Sequence, residues 1–208
     1  MHRSASISDN CPTHVIETKT RLFTRAELSA YKLGKPQCGK CPNFGKIWAC
    51  PDFAPDFLAR HDKPLAQITI IKIKPQRIQN IANSDNFDTA PQPPDQRPTP
   101  PPPPQPEKYF GARETINAAR KIFDPQFLEL ERNTPNSVAL FAGSCLCRLS
   151  ENCPRRHNRP CLFPDKMRTS LEALAYDVPK IAKTMGIEIQ WQPHPDYYTL
   201  VYALLKNG

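Results

Sequence analysis

Residues 65–74, LAQITIIKIK, place four isoleucines and one threonine within ten positions. β-Branched side chains in partial alternation with polar ones are typical of a strand. Upstream, HVIETKTRLF (14–23) is predicted as another strand, and TRAELSAYKLG (24–34) follows it as a short helix. Thr24 and Glu27 match a capping box, and the final glycine of this stretch stands where a C-cap glycine belongs.

Apolar residues at helical spacing predict a further helix from Tyr109 to Phe123. Asp124–Pro125 is expected to cap and restart a helical turn into FLELER (127–132), because proline is favoured in the first turn of a helix. SVALFAG (137–143) is predicted as a strand that runs straight into the second group of cysteines.

The C-terminal part of the chain predicts two helices and then two strands. MRTSLEALAY (167–176) is expected to be helical, and Asp177 is expected to cap a second helix that ends before Gly186. IEIQWQ (187–192) and YYTLVYALLK (197–206) are predicted to form a hairpin. Helices and strands interleave, so the predicted class is α+β: a mixed sheet with helices packed on it, of which a ferredoxin-like sandwich is one version.

A proline-rich stretch, residues 82–108, stands apart from this pattern. Ten of the sixteen residues from Pro91 to Pro106 are proline. Such a run favours an extended polyproline II conformation of about 3.1 Å per residue, roughly 50 Å in all. The sequence therefore predicts one domain over residues 1–208, interrupted by a disordered insertion. The insertion is either a plain spacer or a docking site for a proline-reading domain.

Composition and charge restrict the class of protein. The N-terminus lacks the apolar core of a signal peptide and the longest apolar runs are too short for a bilayer, so a cytoplasmic protein without membrane association is expected. Eight cysteines in that compartment favour metal binding or redox chemistry over disulfides. The formal net charge of +8 would be offset by eight thiolates. A nucleic-acid partner is not expected, because the basic CPRRHNRP (153–160) has no interleaved aromatic stacking platform.

The first cysteine cluster lies in CGKCPNFGKIWACP (38–51), where Cys38, Cys41 and Cys50 have the spacing C-x2-C-x8-C. A two-residue gap lets two thiolates converge on one metal while backbone amides point toward the sulfurs. Cys41 and Cys50 are each followed by proline, and the bacterial ferredoxin motif likewise ends in Cys-Pro. The intervening glycine permits a tight turn, and the tryptophan either shields the site or is an ordinary core aromatic. A thioredoxin-type pair is not favoured, because proline and glycine break the helix that should follow.

The second cluster contains Cys145, Cys147, Cys153 and Cys161, and these four are close enough in sequence to surround one centre. Their spacing, C-x-C-x5-C-x7-C, matches no standard zinc template. His157 could replace a thiolate, although its basic neighbours favour a solvated loop histidine.

The three-cysteine first cluster needs a fourth ligand. Cys11, which also precedes a proline, is the one cysteine outside the two clusters. The alternative is a centre held by three cysteines with an open position, which suits substrate binding rather than plain electron transfer.

Both clusters resemble the bacterial and archaeal family described as predicted metal-binding proteins (domain of unknown function 2284). Its first signature, C-x2-C with Y/F-G-K and then W-x-C-P-P, is similar to CGKCPNFGKIWACPDF (38–53). Its second places a glycine before cysteines, then C-x2-P and a helix R-P-S-x-E-A-x-G-x-D-V. This is similar to the stretch from GSC at 143 to CLFPDKMRTSLEALAYDV at 161–178. The resemblance extends from about Leu22 to the C-terminus and implies a cysteine-ligated metal, with iron–sulfur suspected.

The chain departs from these signatures at three positions and in one spacing. Asp52 and Thr169 each stand in place of a proline, and Ala175 stands in place of a glycine. The second cluster has C-x-C instead of C-x2-C, which leaves the pairing of Cys145 and Cys147 open. Lys166, Arg168 and Glu172 form either a polar site beside this cluster or a solvated helical face.

The leading hypothesis is an iron–sulfur protein, with one or two clusters of the [4Fe-4S] type. It would transfer electrons to a redox partner protein or assist a redox enzyme. Iron–sulfur clusters take thiolates preferentially and are larger than one ion, so their loops tolerate irregular spacing. The alternatives are a structural zinc protein that forms an interaction surface, and an iron–sulfur enzyme with an open site.

Overall fold

The computed structural model describes residues 14–33, 44–50, 61–75, 112–143, 145, 153–191 and 195–208. These residues contain four strands and three α-helices, in the order β1 (Val15–Thr24), α1 (Arg25–Ser29), β2 (Leu65–Ile73), α2 (Ala112–Arg132), β3 (Val138–Leu140), α3 (Val178–Thr184) and β4 (Tyr198–Lys206). The predicted α+β class is confirmed. The predicted insertion at 82–108 lies outside the described residues.

The four strands form one sheet in the order β1-β2-β4-β3. All three pairings are antiparallel, so the sheet is not mixed in strand direction. The register sets Phe23 opposite Ala66 and Ile70 opposite Val201. The isoleucine-rich strand β2 is therefore central, since it pairs with β1 on one edge and β4 on the other.

Helices pack on both faces of this sheet. Successive side chains of a strand point to opposite faces, so β2 contributes apolar side chains to both. Ile68 and Ile70 pack with α1 and α3 on one face, in a cluster that includes Phe23, Leu28, Leu171, Leu174, Val178 and Ile181. Ile71 and Ile73 pack on the other face, in a cluster that includes Phe123, Phe127, Leu200, Tyr202 and Leu204. The described arrangement has three layers, whereas a ferredoxin-like sandwich has two, so that version of the fold is not observed.

Two of the three predicted N-caps, those at Thr24 and Asp177, are confirmed. The Thr24 hydroxyl accepts a hydrogen bond from the Glu27 amide at 3.2 Å, and the Glu27 carboxylate accepts one from the Thr24 amide at 2.8 Å. Asp177 accepts a hydrogen bond from the Lys180 amide at the start of α3, and Gly186 has φ +69 beyond its end. The predicted C-cap glycine of α1, Gly34, lies outside the described residues, and the helix ends at Ser29.

The helix α2 runs through Pro125, whereas a cap and restart had been predicted there. Proline cannot donate the main-chain hydrogen bond of a helix, at a cost of about 3 kcal/mol. Ala119, Phe123 and Phe127 lie four residues apart on the buried face, and burial of each phenylalanine stabilises by about 1.5–3 kcal/mol. Pro125 lies on the exposed side of the helix and does not disturb the buried face. The packing of that buried face therefore outweighs the missing hydrogen bond.

The predicted helix over 167–176 is wrong. This segment contains only a 3₁₀ turn over Glu172–Leu174, and residues 167–170 before it form neither helix nor strand. The carbonyl of Thr169 accepts a hydrogen bond from the Phe141 amide at 2.7 Å, and the Thr169 hydroxyl donates to the Ala49 carbonyl at 2.9 Å. Because the Thr169 carbonyl is bonded to this distant amide, it is not available for a hydrogen bond within a local helix.

The predicted C-terminal hairpin is also wrong. Residues 187–191, the described part of the predicted strand, are not a strand. Strand β4 pairs with β2 along its whole length and with β3 only at Ala203–Leu205, and residues 187–191 form no ladder with it. The segment is held by side chains instead: the Tyr197 hydroxyl donates to the Glu188 carbonyl at 2.7 Å, and the Asp196 amide donates to Gln190 Oε1 at 2.8 Å.

Ala175 has φ +64, a left-handed conformation that favours glycine and strains other residues. We therefore expect Ala175→Gly to raise the free energy of unfolding by about 0.5–1 kcal/mol in urea denaturation. The matched control is Ala173→Gly, because Ala173 is buried in the neighbouring 3₁₀ turn and has no positive φ. That control is expected to destabilise by a similar amount. Equal losses in both variants would contradict the strain at Ala175.

Candidate metal centre

Four of the eight predicted metal ligands lie in the described part of the chain: Cys50, Cys145, Cys153 and Cys161. The other four, Cys11, Cys38, Cys41 and Cys147, lie outside the described residues. The described ranges contain no group of three or more metal-binding side chains. The assignment of all eight as ligands stays a prediction.

The segment 44–50 carries the last cysteine of the first cluster in a tight turn. The Gly45 amide donates to the Cys50 carbonyl at 2.8 Å, and the Cys50 amide donates to the Ile47 carbonyl at 3.1 Å. Gly45 has φ +68, which agrees with the turn predicted for this glycine. Ile47 and Ala49 are buried, so the turn is anchored by apolar contacts while Cys50 is half-buried.

This turn packs against the second cysteine cluster, more than 100 residues further along the chain. Trp48 Nε1 donates to the Arg159 carbonyl at 3.1 Å, and Arg155 Nε donates to the Gly45 carbonyl at 3.0 Å. The Arg155 guanidinium also lies 4.9 Å from the centre of the Trp48 ring, within the range of a cation–π interaction. Trp48 thus connects the two cysteine-containing segments, a role that neither predicted interpretation included.

Cys153 is buried and precedes a 3₁₀ turn over Pro154–His157. Its carbonyl accepts a hydrogen bond from the Arg156 amide at 3.0 Å. Neither Cys153 nor Cys161 forms a disulfide. His157 is exposed, as expected for a solvated loop histidine.

A pocket of about 320 Å³ lies between α2 and the segment that follows Cys161. Cys145 and Cys161 both contribute to its wall. Two of the predicted ligands from the second cluster are therefore neighbours in space. The charged residues of the wall are Arg120, Lys121, Asp124 and Lys166.

A buried polar network forms part of this wall. Arg120 and Asp124 are only 4% and 7% exposed, and Arg120 Nη2 donates to Asp124 Oδ2 at 3.1 Å. The buried Tyr202 hydroxyl donates to Asp124 Oδ1 at 2.7 Å. Burial raises the pKa of Asp124, and the positive charge of Arg120 and the hydrogen bond from Tyr202 oppose that rise. Burial, together with the negative charge of Asp124, raises the pKa of Tyr202.

The sequence analysis missed this network because nothing in the local pattern distinguishes its members. Asp124 had been interpreted as a helix cap, and Tyr202 is one of several aromatic residues in a strand. The i,i+4 spacing of Arg120 and Asp124 on a helix was the available signal, and it is common on solvated helix faces.

The polar residues around 166–172 have separate roles. Arg168 forms two hydrogen bonds to the Glu131 carboxylate, at 2.7 and 2.6 Å, and this carboxylate also accepts one from the Ala139 amide. Arg168 therefore ties its own segment to the end of α2, and Glu131 ties that end to β3. Lys166 lies on the pocket wall and is exposed, and Glu172 is half-buried. Thus Arg168 pairs with Glu131, outside this group, and none of the three residues lies in an α-helix.

Fold and site together define a three-layer α+β protein that brings two cysteine-containing segments into contact. The family model described as predicted metal-binding protein (DUF2284) matches residues 32–205, and the chain belongs to this family. Family membership thus supports metal binding. Neither the search of curated proteins nor that of solved structures found a match.

Two departures from the family signature now have a structural explanation. Thr169 replaces a proline and uses its hydroxyl to hold the Ala49 carbonyl beside Cys50. Ala175 replaces a glycine at a position with positive φ. Among the helices that the structure describes, none has the length and apolarity needed to cross a membrane.

The raised pKa of Tyr202 makes stability depend on pH in the alkaline range. An unfolded tyrosine has a pKa of about 10, so the folded protein holds this proton more tightly and loses stability as pH rises above that value. The loss approaches about 1.4 kcal/mol per pH unit. We expect Tyr202→Phe to flatten the stability profile between about pH 10 and 11, measured by urea denaturation.

Tyr198→Phe is the control for the alkaline profile, because Tyr198 is a half-buried tyrosine on the same strand. It is expected to leave the alkaline slope unchanged. If both variants retained the slope of the original protein, Tyr202 would not be its source.

Proposed function

We propose that this protein binds an iron–sulfur cluster through cysteine thiolates and acts in electron transfer or as an accessory to a redox enzyme. The observation that carries the proposal is the docking of the 44–50 turn, which contains Cys50, on the segment that contains Cys153 and Cys161. Cysteines separated by about a hundred residues then become available to a common site. A redox partner protein and a cytoplasmic location belong to the same proposal.

The residues around the pocket fit such a group. Thiolates are the usual ligands of iron–sulfur clusters, and Cys145 and Cys161 share one wall. When bound, the cluster would accept and release single electrons. Trp48, held between the two segments, would limit the access of water from that side.

The cysteines that would hold the group are those of the two clusters, with Cys11 as the additional candidate. Cys145 and Cys161 would bind from the pocket wall, and the further ligands of such a group would come from the other cysteines of the two clusters, since the described ranges contain no group of three or more metal-binding side chains. The pocket beside Cys145 and Cys161 favours an open-site iron–sulfur enzyme as the second candidate, because a small molecule could reach the site there. Structural zinc is the remaining alternative, and the exposed His157 offers it little support.

The test is metal analysis of protein purified without oxygen from iron-replete anaerobic cells. The expected protein is brown, contains iron and acid-labile sulfide, and bleaches with dithionite. Cys161→Ser is expected to lose at least half of the iron, whereas His157→Ala should retain it. A colourless protein with stoichiometric zinc would replace the redox proposal with the structural one.

A further inference from the structure

The pocket between α2 and residues 161–167 has the dimensions of a small-molecule site. Its volume of about 320 Å³ lies at the lower end of the range for ligand pockets. At roughly 30 Å³ for each water, it would hold about ten waters, or a small organic molecule.

The charged side chains of the pocket wall carry an excess of positive charge. The wall contains three cationic side chains, those of Arg120, Lys121 and Lys166, and one carboxylate, that of Asp124. This carboxylate is occupied by Arg120 and the Tyr202 hydroxyl. Within the described ranges neither lysine forms an ion pair.

Arg120 is the buried member of this cationic group. Its side chain is only 5% exposed. Its Nε atom has no hydrogen-bond partner in the described part of the chain. Because Nε is itself shielded from solvent, what Arg120 offers the pocket is the positive charge of its guanidinium. The wall therefore combines a buried guanidinium with two lysines that lack acidic partners.

The rest of the wall is apolar and aromatic. It consists of Pro125, Leu128, Phe141, Phe163 and Met167. Phe163 is 48% exposed, so part of its ring is open to solvent at the pocket. A ligand with an apolar body would cover it and remove this surface from water.

We propose that this pocket binds a small organic oxyanion, a carboxylate or phosphate monoester whose apolar body has the size of one aromatic ring. The acidic group meets the cations, and the ring packs against Phe141 and Phe163. The ligand then lies beside Cys145 and Cys161, where an open-site cluster would meet its substrate. The inference deepens the proposed function, but binding of the anion does not require that these cysteines hold iron.

The experiment is calorimetric titration of the full chain, as purified without oxygen, with four probes. Benzoate and phenyl phosphate carry both features, benzamide lacks the charge, and inorganic phosphate lacks the apolar body. Benzoate or phenyl phosphate is expected to bind at least about tenfold more tightly than benzamide and inorganic phosphate, and the stronger of the two identifies the acidic group.

Variants distinguish the pocket from binding elsewhere on a basic protein. Lys166→Gln and Phe163→Ala change exposed positions of the wall and are each expected to weaken binding about threefold to tenfold. Lys183→Gln, which changes an exposed lysine on the opposite face of the sheet, is the matched control and should leave affinity unchanged.

Three results would overturn the inference: neither benzoate nor phenyl phosphate binding more tightly than benzamide, no binding of either acid below about 10 mM, or equal effects of Lys166→Gln and Lys183→Gln. Iron and zinc are measured in the same samples. Absence of binding with iron present refutes the pocket proposal alone. Binding with no iron present refutes the proposed cluster alone.

Discussion

Asp124→Ala is expected to lower the free energy of unfolding by about 3–5 kcal/mol in urea denaturation. The substitution leaves Arg120 as a buried charge without its carboxylate, and Tyr202 as a buried hydroxyl without its acceptor. Loss of one partner from a buried ion pair is costly because the remaining charge has already given up its hydration. The network lies between α2 and β4, so its loss also loosens the contact that positions the pocket wall.

Two controls separate the cost of an unpaired charge from that of lost packing. The variant with Arg120→Met, Asp124→Leu and Tyr202→Phe replaces the whole network by apolar groups and is expected to recover most of the stability. Asp62→Ala removes the partner of Arg25 in an exposed pair at 2.9 Å and should cost at most about 1 kcal/mol. Similar losses from Asp124→Ala and Asp62→Ala would show that the buried pair has no special weight.

Removal of the metal is expected to lower the apparent melting temperature by at least about 6–12 °C. This shift corresponds to a loss of about 3 kcal/mol for a chain of this size. Metal-binding free energy adds to folding free energy, and clustered thiolates without a metal repel one another or oxidise. The measurement is thermal unfolding without oxygen, before and after chelation. An unchanged melting temperature after complete removal of the metal would contradict a metal-supported fold.

Cysteine substitutions show where the metal acts on stability. Cys161→Ser and Cys153→Ser are expected to destabilise more than Cys11→Ser. Cys153 is buried, so its substitution also places a hydroxyl in an apolar site, and each variant is therefore measured with and without metal. An effect of Cys161→Ser that persists unchanged in metal-free protein would be a packing effect and would count against ligation.

The central strands and caps could be predicted because their signals are local. The isoleucines of 65–74 predicted β2, and the Thr24–Glu27 and Asp177 patterns predicted two helix starts that the structure confirms. The absence of a helix over 167–176 could not be predicted from local signals. The helical composition of this segment is overridden by bonds from Thr169 to the distant Phe141 and Ala49.

The sequence by itself determined the α+β class and the family, since residue types and short spacings carry this information. Only the tertiary structure decided the strand order, the continuity of α2 and the contacts around the cysteines. Trp48 meets Arg155 and Arg159, and Asp124 meets Tyr202, across separations of 78 to 111 residues. Such contacts depend on how the sheet brings its two faces to the helices. Local spacing contains no information about that packing, so the pocket beside Cys145 and Cys161 becomes visible only in the folded chain.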